Sequence, residues 1–398
     1  MLNRIEITGL FGHYDYDLPL INGLRKNICF LTGPNGYGKS TILDLICAFM
    51  KADVKTLLNI QYDTITFYLN DYKVVLTQER TEEAADPNED SSNSDDDLPV
   101  VKKMAIVVYA AGSGGALESV SFTDGELEAE NVSLFPPSLS VYLASQHIEY
   151  IADDRLWPRN AEKLGVNKSV ELLQMMITNY DNHLTAKFNE SMLGAMRSLS
   201  PEDFVRGELE EQELIRRANE KLDAFNKLGL ASKLTNADVE EDKPFLKMLQ
   251  LAAVDKVLMY DDLFYRRLKL LYDIIVQSEF SDKTIVLDGE HGLFFVSEDT
   301  IIIPEELSSG EQHFIIQLIT LLMKAEPNSL ILIDEPELSY HPAWQMDYLK
   351  NLKRIAEIGQ YQFVLATHSP QIFDYKWGYT IDLYKQTTNN AERPEERN

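Results

Sequence analysis

The chain has 398 residues, 44% of them hydrophobic and 10% aromatic, which is material for a substantial core in more than one domain and excludes a disordered, fibrous or disulfide-stapled protein. With 37 basic and 64 acidic residues the net charge is −27, which argues against a protein that coats nucleic acid by itself, because phosphate binding wants a net basic surface. A local basic groove would still permit DNA contact. No stretch reaches the roughly 18 apolar residues that span a bilayer, and the N-terminus lacks the apolar core of a secretory signal. Cys29 and Cys47 stand in apolar runs and read as buried thiols of a reducing cytoplasm.

Taken in chain order, residues 4–8 and 15–20 alternate apolar and polar side chains and predict strands. The short apolar run 27–31 is flanked by turn residues, as a buried strand would be. A helix is expected over 41–50, then strands near 64–69 and 73–77. Residues 79–97 hold nine acidic residues and one basic one, and read as a solvated, disordered surface loop between strands. Strands are expected at 102–109 and 138–144, and Trp157-Pro158 marks a break. From 167 to 278 the pattern is helical. Leu209, Leu214, Ile215, Ala218, Leu222 and Phe225 recur near a 3.6 period within 208–228, and 245–276 is a second long helical stretch. The heptads are not sustained, so this is a compact helical insertion and not a long coiled coil. Residues 284–303 return to short strands turning at Gly289 and Gly292, after which helix and strand alternate. The division expected is 1–159, 160–283 and 284–398, the middle segment being the insertion.

Residues 33–40, Gly-Pro-Asn-Gly-Tyr-Gly-Lys-Ser, fit the P-loop pattern and stand where that loop requires, after a buried strand and before a helix. Successive glycines let the backbone curl so that its N–H groups face phosphate oxygens, and the helix N-terminus adds partial positive charge there. Lys39 would reach the β- and γ-phosphates and Ser40 would hold Mg²⁺. Tyr37 lies inside the loop, nearer to phosphate than to base.

Three further motifs follow near the C-terminus. Leu307 to Gln312 read Leu-Ser-Ser-Gly-Glu-Gln before a helix, with Ser309 and Gly310 presenting hydroxyl and N–H groups at its positive end. The same hexapeptide also fits a Ser cap with its capping-box glutamate. Residues 330–333 are an apolar strand ending in Asp334 and Glu335. Asp334 is suited to Mg²⁺; Glu335, one residue on and pointing the other way, is suited to a general base or to a structural ion pair. Residues 362–366 are another buried strand, ending in Thr367-His368-Ser369.

The ordered set of P-loop, Leu-Ser-Ser-Gly-Glu-Gln, apolar strand with Asp-Glu, and strand with Thr-His-Ser resembles the ABC-type ATPases of the SMC, RecF and OLD-like proteins. The resemblance implies an α/β fold: an ABC-type P-loop ATPase head with an antiparallel β lobe, a mainly parallel sheet and an inserted helical subdomain. It implies ATP contacts at Asn35, Gly36, Gly38, Lys39, Ser40 and Thr41, Mg²⁺ at Ser40 and Asp334, water activation by Glu335, and a γ-phosphate contact from His368. It also implies a head-to-tail homodimer in which Ser309 and Gly310 meet the γ-phosphate held by the other subunit. Gln146, after residues 141–145, is the candidate Q-loop ligand of the metal, and a solvent-facing strand-end glutamine is its other reading. The start Gly9 to Tyr16, the short helical stub and the P-loop look like the stand-alone ATPases of antiphage systems such as PARIS, Septu and retron-associated ATPases, which act with a separately encoded effector. The remainder after His368 is expected to hold no nuclease domain of the OLD kind. The rival is a RecF- or SMC-type genome-maintenance ATPase that clamps DNA.

Overall fold

The computed structural model describes residues 1–23, 25–82, 100–112, 114–123, 135–152, 159–198, 208–235, 244–278, 280 and 283–391. The chain divides into two compact units. The first comprises Met1–Asp154, Glu326–Leu338 and Gln345–Asn398; the second comprises Arg155–Ala325 and Ser339–Trp344.

In the first unit the chain forms β1 (Leu2–Leu10), β2 (Tyr14–Pro19), β3 (Ile28–Thr32), α1 (Lys39–Met50), α2 (Val54–Asn59), β4 (Thr64–Leu69), β5 (Tyr72–Glu82), β6 (Val100–Ala110), β7 (Ala116–Thr123), α3 (Pro137–Ala144) and β8 (Ile148–Ile151). Six of these strands make an antiparallel sheet in the order β2-β1-β4-β5-β6-β7. Its alternating sequences set one face inward: Leu2, Ile5 and Ile7 of β1 are buried, as are Val74 and Leu76 of β5 and Met104, Ile106 and Val108 of β6. Helix α1 is apolar nearly all round because it is covered on more than one side. Its Phe49 stacks on Phe67 of β4 with centroids 3.9 Å apart, and the same helix lies against the parallel sheet described below.

The second unit holds α4 (Arg159–Ser198), α5 (Glu208–Asn226), α6 (Ser232–Thr235), α7 (Pro244–Val257), α8 (Leu263–Gln277), β9 (Thr284–Asp288), β10 (Gly292–Ser297), β11 (Thr300–Ile302) and α9 (Ser309–Ile319), the last running into a π-helical turn, Thr320–Lys324. The helical stretch expected over 160–283 lies here, and the unit continues through the antiparallel sheet β11-β10-β9 to Ala325. On α5 the expected stripe is inward, with Leu214, Ala218 and Phe225 buried. The stretch expected over 245–276 is broken at Leu258–Asp262, where Asp262 caps α8 by accepting from Phe264 N and Tyr265 N.

Next come β12 (Leu330–Asp334), α10 (Pro342–Gly359), β13 (Gln362–Ala366), β14 (Thr380–Asp382) and α11 (Leu383–Ala391). The first unit's second sheet is all parallel, in the order β14-β3-β13-β12-β8. Strands β3, β12 and β13 are buried at every residue, as continuous apolar runs in a covered parallel sheet should be. The architecture is α/β: an antiparallel sheet and a parallel sheet belong to the first unit, and helices α4 to α8 stand between their strands in chain order. Among the described residues no helix is long and apolar enough to cross a membrane. Cys29 and Cys47 are free and buried.

Two expectations are corrected. Residues 138–144 are helix, not strand: Pro137 opens α3 at its first turn, and Leu139 and Leu143, four apart, are its buried residues. The strand that joins the parallel sheet there is β8. Residues 79–82 of the expected acidic loop belong to β5, where Glu79 pairs with Lys103 and Glu82 with Val100; the rest of that segment lies outside the described residues.

Candidate functional site

The register of the parallel sheet assembles the site. Leu31 of β3 stands beside Ala366 of β13, and Ala366 stands beside Asp334 of β12. The chain therefore leaves β3 into the P-loop, β12 into Asp334-Glu335 and β13 into Thr367-His368 at one carboxyl edge, where ligands of open α/β sheets bind.

Gly33, Gly36 and Gly38 have φ of 148°, 85° and 78°, the region that L side chains avoid. Gly38 is the most constrained, since a Cβ there would stand 2.9 Å from Leu10 Cδ2 and 3.2 Å from Phe11 Cε2. It is also the N-cap of α1 and brings no capping side chain, so the first helical amides remain for an external acceptor. Lys39 Nζ lies back across its own loop and donates to Gly33 O at 3.1 Å and Pro34 O at 3.2 Å. Burial pulls its pKa below the ordinary lysine value, while the charges of Glu335, Asp334 and Glu337 oppose the shift. Asn35, Gly36 and Ser40 are exposed and Thr41 is half-buried.

Tyr37 turns away from the loop mouth into an aromatic group. Its ring is 5.3 Å from Tyr14 and 5.7 Å from Tyr384, and its carbonyl accepts from Tyr16 Oη at 2.9 Å.

At the end of β12, Asp334 is buried. Glu335 takes φ of 42°, a left-handed backbone that non-glycine residues rarely adopt and that is held here by Glu335 N donating to Ala366 O at 2.9 Å. This kink carries the chain out of the strand into the 3-10 turn Pro336–Ser339. His368 Nε2 stands 3.6 Å from Glu335 Oε1. Glu337, which the sequence reading had not singled out, accepts His368 N at 2.6 Å and Ser369 N at 3.1 Å on one oxygen. Its only signal in the sequence is a third carboxylate just past a buried strand.

In the second unit, the capping box on α9 is real, and it uses Ser308. The Ser308 hydroxyl accepts from Glu311 N, and Glu311 Oε2 accepts from Ser308 N at 2.9 Å and Ser308 Oγ at 2.8 Å. Ser309 is thus left exposed at the first helical position, followed by Gly310, with neither used in the cap. The two readings of the hexapeptide are compatible because they employ different residues. Glu311 Oε1 also accepts from Lys283 Nζ at 2.6 Å. Burial pushes the Glu311 carboxyl up, but Lys283 and the two Ser308 donors together hold it below the ordinary value.

Gln146 is not part of the assembly. It follows α3 and precedes β8, with Gln146 N donating to Leu143 O and Nε2 to Ser145 Oγ. Because β8 runs parallel to β12 with Ile148 beside Leu330 and Ile151 beside Ile333, Gln146 lies at the amino edge of the sheet, opposite Asp334. The strand misassigned to 138–144 is the cause of the error.

Ser40 and Asp334 offer the hard oxygen donors that Mg²⁺ takes, and the ion ordinarily uses one or two carboxylates together with phosphates and water. Among the described residues no group of three or more His, Cys, Asp or Glu could hold a metal by itself.

A family model described as AAA domain, putative AbiEii toxin, type IV TA system matches residues 149–374. No curated protein matches the chain. Similar solved structures include an SMC head bound to the C-winged helix domain of ScpA, 13% identical with a TM-score of 0.37, covering 93% of this chain and 90% of that one. Another is the SMC head domain from Thermotoga maritima, 11% identical with a TM-score of 0.36, covering 94% and 91%.

Proposed function

The chain belongs to the AAA-domain family described as a putative AbiEii toxin of a type IV toxin–antitoxin system, and on that premise we propose that it binds ATP with Mg²⁺, hydrolyses it across a head-to-tail homodimer, and through that cycle controls a separate effector in antiphage defence. The observation that carries the reading is the convergence of Lys39, Asp334, Glu335 and His368 on one sheet edge, beside three glycines at positive φ.

Each residue has a task its surroundings suit. The loop amides and the N-terminus of α1 take phosphate oxygens, and Lys39 exchanges its two carbonyl partners for the β- and γ-phosphates. A partly desolvated ammonium gains more from an anion than a fully hydrated one. Ser40 and Asp334 would hold Mg²⁺, which when bound neutralises phosphate charge. Glu335 orients the attacking water and takes its proton; the left-handed backbone fixes where its carboxylate points. His368 donates to the γ-phosphate side. Ser309 and Gly310 serve the nucleotide held by the partner subunit, so neither subunit has a complete site. The open and closed dimers are the two states an effector would distinguish. The toxin–antitoxin description of the family supports an effector-linked role.

The test is ATP turnover and light scattering on wild type and Glu335→Gln, together with co-purification of the products of neighbouring genes. Expected are Mg²⁺-dependent turnover by wild type, and an ATP-stabilised dimer of Glu335→Gln that turns over slowly. A neighbouring product should co-purify and need Lys39 for its effect in cells. Wild-type turnover by Glu335→Gln refutes the catalytic role, and Mg²⁺-dependent nuclease activity of the lone chain refutes effector control.

A further inference from the structure

We infer that Glu337 is the positioning residue of this site: its carboxylate clamps the backbone amides of His368 and Ser369 and thereby sets where the His368 imidazole stands against Glu335. The inference rests on the proposal that Glu335 and His368 act on ATP.

Thr367 N still donates to Leu31 O at 3.1 Å, which ends the pairing with β3. The next two amides leave the sheet and need other acceptors. One carboxylate oxygen, Glu337 Oε1, serves both, at 2.6 Å and 3.1 Å. Ser369 N is additionally shared with Thr367 Oγ1 at 3.0 Å. Hydrogen bonds to an ionised acceptor are roughly twice as strong as neutral ones, so the turn bearing His368 is fixed by charge as well as by geometry.

Glu337 is itself held. Pro336 restricts the chain before it, and Leu338 N donates to Glu335 O at 3.1 Å within the same turn. Gln345 of α10 bridges the two segments: its Nε2 donates to Glu337 O at 3.2 Å, and its Oε1 accepts from Ser369 Oγ at 2.9 Å. The turn after Asp334-Glu335 and the turn after β13 are thus joined by a carboxylate and an amide. The other oxygen, Oε2, is buried with no hydrogen-bond partner among the described residues. A half-satisfied buried carboxylate is costly, which marks the residue as more than a surface charge. The consequence is read at His368. Its Nε2 lies 3.6 Å from Glu335 Oε1, and the backbone from which the imidazole hangs is one of the elements that set this separation.

Glu337→Ala, Glu337→Asp and Glu337→Gln are compared with wild type, His368→Ala and the Glu337→Ala/His368→Ala double variant. Two readouts are used: steady-state ATP turnover, and hydrogen–deuterium exchange of the His368 and Ser369 amides without nucleotide. Glu337→Ala should lower kcat about tenfold to a hundredfold, as small misplacements of a reacting group do, with KM for ATP changed by no more than about threefold. Glu337→Gln, which keeps an acceptor, should restore much of the rate. The double variant should be little worse than His368→Ala alone, since the clamp acts through that histidine. Amide exchange should rise about tenfold or more in Glu337→Ala and less in Glu337→Gln. Should Glu337→Ala fail to fold, Glu337→Asp, which withdraws the carboxylate by one methylene, is expected to show the same two effects in smaller measure. The clamp is overturned if exchange at His368 and Ser369 is unchanged in the variants, or if the rate losses of Glu337→Ala and His368→Ala simply add. A wild-type protein that turns over no ATP would sink the ATPase proposal, and the exchange measurement would still decide whether Glu337 holds these amides.

Discussion

Glu311→Ala is the substitution whose cost can be worked most directly from geometry. The carboxylate accepts from Ser308 N and Ser308 Oγ on one oxygen and from Lys283 Nζ at 2.6 Å on the other. Truncation removes one half of the capping box, a loss of about 1 kcal/mol. It also leaves the Lys283 ammonium without its anion. Breaking a fully buried pair costs about 3–5 kcal/mol, but the Lys283 side chain is 22% exposed and can recover water, which discounts this to about 1–2 kcal/mol. The total is about 2–3 kcal/mol. Glu311→Gln keeps an acceptor for Ser308 and loses only the charge, so it should cost about 1–2 kcal/mol. Urea unfolding followed by circular dichroism would measure both. Because the folded Glu311 pKa lies below the ordinary value of 4.5, the stabilisation is fully present above that value and disappears as pH falls through the lower folded value. The gap between wild type and Glu311→Gln should therefore be constant from neutral pH down to about 5 and close below 4.5. A Glu311→Ala protein within about 0.5 kcal/mol of wild type at neutral pH would refute the reasoning, as would a gap that widens on acidification.

Lys39→Ala should abolish ATP binding by removing the cation meant for the β- and γ-phosphates; unchanged affinity by calorimetry would reject the P-loop assignment. Ser309→Arg should leave ATP binding by the isolated chain intact and block turnover, and mixing it with Lys39→Ala protein should restore at most one of two sites. Loss of ATP binding by the monomeric Ser309 variant would instead place that residue in cis. Gly38→Ala should destabilise the protein by about 1–2 kcal/mol, because φ of 78° strains an L residue and its Cβ would press on Leu10. Nucleotide affinity should fall with it, and a variant with wild-type thermal midpoint and affinity would show that the loop tolerates a side chain there.

Much of this site was readable because parallel-sheet strands carry no polar alternation. Residues 28–32, 330–334 and 362–366 are mostly apolar runs that lead directly into the candidate site residues, so pattern and proposed chemistry coincide. The failures have equally local causes. Residues 138–144 are a short apolar run that fits strand and helix alike, and Pro137 together with the Leu139–Leu143 spacing was the cue for helix. That misreading displaced Gln146 to the wrong edge. Glu79 to Glu82 were read by charge, whereas the long pairing of β5 with β6 decides their conformation. Glu337 escaped notice because its role is to accept backbone amides thirty-odd positions away, and a side chain to main chain contact of that range leaves no periodicity.

The interleaving of the parallel sheet has a consequence for synthesis of the protein. Strand β3, from the beginning of the chain, lies between β13 and β14, from near its end, and Leu2 N donates to Gln362 Oε1 across 360 positions. At about 5–20 residues per second, a ribosome needs on the order of twenty seconds to more than a minute to deliver that partner. During this interval the apolar Ile28–Thr32 segment has made neither of its sheet neighbours, and unpaired apolar strands invite association with other nascent chains. Chaperone protection during translation follows as a requirement. So does a form of quality control: a polypeptide cut short before β13 can carry an intact Gly-Pro-Asn-Gly-Tyr-Gly-Lys-Ser loop and still lack the sheet that supports it, so prematurely terminated products would not compete for nucleotide.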